Sequence, residues 1–273
     1  MKASVVEAAS PAPILTREDR DGVATLTLDQ PASRNALSIA MIGALIAAFE
    51  AIAAERETRV VVLAAGGPVF SSGHDLREIR AHRADADKGR GYYETLMNAC
   101  SALMQAIVAL PKPVIAAVEG IATAAGCQLV AACDLAIAGA EARFATPGVK
   151  IGLFCSTPLV AVGRAVSRKH AMEMALTGEL YSAGEAERFG LINRITPAGE
   201  ALNEAHKLAA GLAGRSAKTL AIGKKAFYQQ IEMGLGDAYA HASRAMVENL
   251  LERDADEGID AFLEKRPPIW ERE

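Results

Sequence analysis

Two short segments hold the residue types from which a site for a polarised carbonyl can be built. The first is Phe70-Ser71-Ser72-Gly73-His74-Asp75-Leu76, which follows an apolar run and precedes a helical pattern. A glycine there lets backbone N–H groups turn toward a ligand, and Asp75 stands where a helix cap belongs. The second is Glu119-Gly120-Ile121-Ala122-Thr123-Ala124-Ala125-Gly126-Cys127-Gln128, which leads from a predicted strand into a predicted helix through small side chains. Small residues permit close backbone approach, and a helix N-terminus offers unpaired N–H donors to developing negative charge. One donor from each segment would make an oxyanion hole. The same glycines also suit plain strand-to-helix packing, so these spacings alone leave both readings open.

Nearby groups widen the list. The His74 imidazole would sit beside the hole, where a base tuned near neutral pH is useful, although its backbone amide is the expected contributor and its ring is expected to point elsewhere. Glu119 is the carboxylate nearest in sequence to the second segment and a candidate base. Cys127 would need a neighbouring cation to become a nucleophile, and the sequence supplies none. Cys155, after Phe154, is a candidate lining residue of an acyl pocket, with packing as the default. His74 and His82 are eight apart without further ligand spacing, so no metal site is expected. Arg77, Arg80 and Arg83 read as a solvated helix face.

The elements that must position these segments show in the hydrophobic period. Residues 23–28 alternate as a first strand, ended by Asp29-Gln30-Pro31, and Ser38 can cap a helix with apolar positions Met41, Leu45, Phe49 and Ile52. Residues 60–64 are a short, fully apolar run, as expected of a parallel strand buried on both faces. A helix over 92–109, a strand over 114–118, a small-residue segment and helix over 122–133, and strands over 135–138 and 143–145 follow. Such alternation predicts an α/β architecture with parallel pairing. From Leu159 onward the period is largely helical, with apolar stripes over 200–212, 217–231 and 238–251 that need the core or a neighbouring subunit to cover them.

Composition bounds the function. A chain of 273 residues can bury a sizeable core, and a net charge of −4 with no basic stripe offers nucleic acid nothing to hold. No charge-free run is long enough for a membrane span, so a soluble protein with no membrane partner is expected. Residues 1–12 have neither an apolar signal core nor the Arg-rich look of a transit peptide, and a cytoplasmic location is the expectation. The four cysteines include no CxxC pair and are expected to be reduced.

The two segments, in this order, together with Arg34-Asn35-Ala36-Leu37-Ser38, Ala145-Thr146-Pro147-Gly148-Val149 and the run from Asp256 to Arg266, resemble the crotonase superfamily of acyl-CoA enzymes, from about residue 23 to residue 270. Within it the likeness is strongest to the group of enoyl-CoA hydratase domain-containing protein 3 and its bacterial relatives. The resemblance implies an α/β fold: a flexible tail over 1–18, a spiral core of repeated ββα turns over 19–200, and a C-terminal helical region over 201–273 that builds a trimer or a dimer of trimers. It implies an acyl-CoA thioester as ligand and no cofactor, coenzyme A being part of the substrate. Carried over by position, the oxyanion donors are the amides of His74 and Ala125, next to Gly126. Ser72, Gly73, Asp75 and Leu76 would border the adenine, Arg34 and Arg77 would approach the CoA phosphates, and Lys265 would reach a neighbour's CoA.

This sequence departs from the family's hydratases at two positions. They carry glutamates where this chain has Gln128 and Gly148. Hydration needs one carboxylate to activate water and another to deliver a proton, each worth about 10²–10⁴-fold. An amide and a glycine supply neither, so weak hydration is expected, and reinstating both glutamates is expected to raise it more than either alone. Dihydroxynaphthoyl-CoA synthases, which also carry glycine at the second position, recruit bicarbonate as base, and Thr146 beside Gly148 is a candidate anion ligand on that precedent. An enzyme with an unconventional base and an acyl-CoA-binding regulatory protein of the same fold both fit these residues.

Overall fold

The computed structural model describes residues 12–271. Its strands are β1 (Leu15–Arg20), β2 (Val23–Leu28), β3 (Val60–Ala65), β4 (Val69–Ser71), β5 (Val114–Val118), β6 (Ile121–Thr123), β7 (Leu135–Gly139), β8 (Arg143–Ala145), β9 (Tyr181–Ser182) and β10 (Arg194–Thr196). Its helices are α1 (Ile39–Ala54), α2 (Leu76–Ala81), α3 (Arg90–Ala109), α4 (Ala125–Ala132), α5 (Pro158–Ala165), α6 (Arg168–Thr177), α7 (Ala183–Phe189), α8 (Ala201–Ala213), α9 (Ala217–Gln230), α10 (Leu235–Leu250) and α11 (Arg253–Glu264).

Strand period explains the layering. In β3, Val61 and Leu63 face a large core filled by α1, α3 and α4, while Val60, Val62 and Ala64 face the opposite side. β5 repeats this, with Val114, Ala116 and Val118 on one face and Ile115 and Ala117 on the other. Two-sided burial is why these strands read as unbroken apolar runs. The second face is closed by α8, whose Ala201, Ala205 and Ala209 recur every four residues and let the helix lie close to the sheet.

The predicted spiral of ββα turns is present. β3, β5 and β7 lie side by side and parallel in a six-stranded sheet, order β1-β2-β3-β5-β7-β10. Their successors β4, β6 and β8 lie side by side and parallel in a second sheet, order β4-β6-β8-β9. Each turn therefore places one strand in each sheet and then leaves through a loop into a helix. The loops after β4, β6 and β8 must emerge at the same edge, the C-terminal end of parallel strands, where ligands of open α/β sheets bind.

Some expectations need correction. The tail expected over 1–18 gives way to β1 at Leu15, which pairs antiparallel with β2; residues 1–11 lie outside the described residues. The stretch over 122–133, expected as a small-residue segment and helix, begins as strand β6, because Ile121, Ala122 and Thr123 pair with β8. The C-terminal third, read as helical, also contributes β9 and β10 to the two sheets. Of the helices expected to need cover, α8 packs on the chain's own core. By contrast α9, α10 and α11 leave Phe227, Leu235, Tyr239, Leu250, Phe262 and Leu263 exposed. No helix among the described residues is long and apolar enough to cross a membrane.

Candidate functional site

The early Arg34-Asn35-Ala36-Leu37-Ser38 motif braces the loop after β4. Arg34 and Asn35 take positive φ (57° and 50°), a conformation asparagine tolerates well. The Asn35 side chain donates to the carbonyls of Gly66 (2.9 Å) and Val69 (2.7 Å), and accepts from Gln30 N (2.8 Å). Ser71 Oγ then donates to Asn35 O (2.8 Å), Ser72 N to Arg34 O (3.1 Å), and Leu37 N to Gly73 O (2.8 Å). The loop is held on one side from Ser71 to Gly73.

On its other side it interlocks with the loop after β6. Gly73 has φ +85°, and a Cβ there would lie 2.9 Å from Ala124 Cβ and 3.1 Å from Ala125 N. A Cβ at Gly126 would collide with the Ser71 carbonyl. Both glycines are required by close approach of one backbone to another. Ala124, between the loop and α4, holds φ 50° and ψ −119°, a position sparsely populated by residues with a side chain. Its N–H donates to Ala145 O (2.9 Å), tying in the third loop.

Among the described residues the amides of His74 and Ala125 donate no hydrogen bond. Ala125 is the first residue of α4, so its N–H is one of the helix's orphan donors. Gly73 brings it against the loop that carries the His74 amide. Two convergent unpaired amides are a device for stabilising negative charge on a carbonyl oxygen.

The side chains around them are placed as follows. His74 is half-buried, and its Nδ1 lies 3.1 Å from Leu37 O. Nε2 is buried without a partner among the described residues, and burial lowers the ring's affinity for a proton. Gln128 is 3% exposed and accepts a long contact from Cys100 Sγ (3.8 Å). Gly148 does not leave an empty corner. A Cβ there would sit 2.6 Å from Leu153 O and 2.9 Å from Cys155 Sγ, and its N–H donates to Cys155 Sγ at 3.3 Å. Thr146 is fully buried, and its Oγ1 has no hydrogen-bond partner among the described residues. Burial pushes the Cys127 thiol up to about 12 and raises that of Cys155, which leaves both unsuited to nucleophilic attack.

The remaining expected residues divide. Asp75 caps α2 by accepting from Arg77 N (2.7 Å). Ser72 is half-buried and Leu76 exposed at the same edge. Arg34 and Arg77 have exposed side chains on the two segments that meet there. Lys265 is the C-cap of α11, and no hydrogen bond joins it to either loop within the chain. Glu119 is not a base for this site. Its carboxylate packs on Gly139 and accepts from Ala201 N (2.9 Å), capping α8.

Two residues escaped sequence reasoning. Asn35, read in the sequence only as part of a motif, organises the first loop through its side-chain hydrogen bonds. Glu78 accepts from Tyr92 OH (2.8 Å) and from Ile39 N (3.2 Å) at the start of α1, and acts electrostatically on His74. The Asp75-x-x-Glu78 spacing of a helix start was the available signal, but it suggests a local cap rather than this bridge. No group of His, Cys, Asp and Glu among the described residues is arranged to hold a metal ion.

Comparison with known proteins follows the same lines. The family model described as enoyl-CoA hydratase/isomerase matches residues 18–273. Rat mitochondrial enoyl-CoA hydratase domain-containing protein 3 is 47% identical over 257 residues, covering 94% of this chain and 84% of the relative. The crystal structure of an enoyl-CoA hydratase from Mycobacterium smegmatis superposes with a TM-score of 0.89 at 48% identity, covering 94% of this chain and 99% of that one. The crystal structure of human enoyl Coenzyme A hydratase domain-containing protein 3 gives 0.89 at 45% identity, over 94% and 100%.

Proposed function

Because this chain belongs to the enoyl-CoA hydratase/isomerase family, we propose that it binds an acyl-CoA thioester with the carbonyl oxygen between the amides of His74 and Ala125, and stabilises the enolate formed there. The observation that carries this is the contact of Gly73 with Ala124 and Ala125, which brings an unpaired helix-start amide against the first loop. Each such donor is worth about 3 kcal/mol to a developing oxyanion. Ser72, Gly73, Asp75 and Leu76 border the adenine, and Arg34 and Arg77 serve the CoA phosphates. Lys265, without a partner in either loop, reaches the CoA of a neighbouring subunit. Coenzyme A arrives with the substrate, and no further cofactor is called for.

With Gln128 and Gly148 at the hydratase glutamate positions, hydration of crotonyl-CoA is slow and the activity is of lyase or isomerase type in fatty acid metabolism. A second reading, an acyl-CoA-binding or regulatory protein with little turnover, is favoured by one observation: the Gly148 corner is filled by Leu153 O and Cys155 Sγ, so no carboxylate substitute stands there. That filling also weighs against an anion occupying the place of the missing side chain. The exposed apolar residues of α9 to α11 support assembly into a trimer or a dimer of trimers. The cytoplasm is our proposed location, and fractionation of cells expressing the chain checks it.

The test is turnover of the wild-type protein on crotonyl-CoA beside an ordinary hydratase of the family, with a crystal soaked in acetoacetyl-CoA. Rates ordinary for the family, or a thioester oxygen away from the two amides, would overturn this reading.

A further inference from the structure

The imidazole of His74 has a combination of features that neither the fold nor the backbone role of this residue requires. Its Nδ1 lies 3.1 Å from the carbonyl oxygen of Leu37. A carbonyl only accepts, so Nδ1 carries the proton and Nε2 is left with a free lone pair. That Nε2 is buried and has no hydrogen-bond partner among the described residues. A buried acceptor without a partner costs stability, and evolution tends to retain one where it has work to do. The ring belongs to the residue whose backbone amide is assigned to the thioester oxygen under the proposed function.

We propose that His74 Nε2 is the base that exchanges a proton with the carbon next to the thioester carbonyl. This deepens, and rests on, the placement of the thioester between the His74 and Ala125 amides. In the forward step the Nε2 lone pair takes the α-proton. The C–H electron pair becomes the Cα–C1 π bond, and the carbonyl π pair moves onto the oxygen held by the two amides. In the reverse step the imidazolium returns a proton to the same carbon, and the enolate pair re-forms the carbonyl. No oxidant, reductant or second substrate is needed.

The surroundings fit a neutral base. Burial lowers the proton affinity of the ring, so it is unprotonated at neutral pH when the substrate arrives. Glu78 on α2 opposes that effect, favouring the imidazolium once it forms, and is itself held by Ile39 N and Tyr92 OH. Leu37 O fixes the tautomer, the part a third residue plays in other base-orienting arrangements. Neither Gln128 nor Gly148 offers a competing base, and Glu119 is engaged at α8.

The experiment uses butyryl-CoA in D2O and the intact protein. Proton NMR follows loss of the α-CH2 signal, while the infrared shift of the bound thioester carbonyl reports polarisation. His74→Asn keeps the backbone amide and a side-chain donor at the Nδ1 position but removes the Nε2 lone pair. The wild type should exchange α-protons well above the buffer rate, and His74→Asn should lose about 100-fold or more with an unchanged carbonyl shift. Exchange within threefold of wild type in the variant, or no wild-type exchange despite a shifted carbonyl, overturns the role of His74. No carbonyl shift in the wild type overturns the binding reading instead. Should His74→Asn fail to fold, the wild-type ¹⁵N resonance of His74 Nε2 decides: it should move on addition of butyryl-CoA, and an unmoved resonance rejects the proposal.

Discussion

Gly148→Ala tests whether the corner at Gly148 is truly closed. The new Cβ would lie 2.6 Å from Leu153 O and 2.9 Å from Cys155 Sγ. Both are repulsive distances, and segment 153–155 must retreat by about 0.8 Å to reach ordinary contact with the oxygen. That retreat pulls on the bonds Leu153 N to Gly148 O (2.9 Å) and Gly148 N to Cys155 Sγ (3.3 Å). Gly148 is absent from the positive-φ glycines, so the penalty is one of space rather than of backbone angle. Overpacking of this kind costs about 1–3 kcal/mol. At about 2–4 °C per kcal/mol for a domain of this size, Tm should fall by about 2–12 °C. Gly184→Ala in α7, where a Cβ meets nothing within 4 Å, is the matched control and should hold or raise Tm. Thermal unfolding by calorimetry at one pH compares the two. A Gly148→Ala protein as stable as wild type would refute the steric reasoning. The same geometry revises the expectation that two glutamates outperform one. Gln128→Glu is nearly isosteric and should raise crotonyl-CoA hydration, whereas adding Gly148→Glu should contribute nothing further, and a faster double variant would mean that the corner opens.

Ala125→Pro removes one amide donor at the first position of α4 and should cut enolate-forming activity by about 10²–10³-fold while abolishing most of the thioester carbonyl shift; an unchanged infrared shift in folded protein would refute the two-amide site. Light scattering at micromolar concentration should give three or six times the chain mass, and a monomeric mass would contradict the assignment of α9 to α11 to subunit contact. Arg17 forks onto Glu55 at 2.7 and 2.5 Å and, through those hydrogen bonds, holds its carboxyl down from 4.5 to about 2. A depressed folded-state pKa contributes stability present above about pH 4.5 and lost as pH falls through about 2, so Glu55→Gln should lower Tm at pH 7 and converge with wild type near pH 2. A gap that persists unchanged at pH 2 would place the effect elsewhere.

What the sequence made legible follows from how each element is stabilised. β3 and β5 are buried on both faces, and such strands advertise themselves as apolar runs. Ser38 and Asp75 were readable as caps because capping is local, and both side chains accept the expected backbone N–H. β1 was hidden because Leu15–Arg20 lies at the sheet edge, and its charged residues keep their side chains in water. β9 and β10 are two and three residues long and exist only through partners far along the chain. Glu119 misled for the same reason. It adjoins the second loop in sequence, yet its carboxylate serves an amide 82 residues away.

The site shows the same division between local and distant information. Gly73 and Gly126 were recognisable because a glycine before a helix invites a backbone explanation, and the contacts at Ala125 N and Ser71 O supply one. Gly148 was legible only as a missing carboxylate, a subtraction. In the folded chain the space is held by the Leu153 carbonyl and the Cys155 sulfur, so Gly148 and the path of 153–155 form one packing solution. Gln128 is similarly enclosed, with Cys100 Sγ the described partner of its oxygen. A thioester between the His74 and Ala125 amides would thus be polarised in surroundings without the pair of carboxylates that activates water. Under the proposal for His74, the lone pair left to act is an imidazole nitrogen shielded from solvent. Shielding favours removal and return of a proton on carbon over attack by water, which would have to enter and be activated where Gln128 and the filled corner offer no base. On the proposed function, enolisation of an acyl-CoA rather than hydration of an enoyl-CoA is the chemistry expected of two backbone donors and one neutral base.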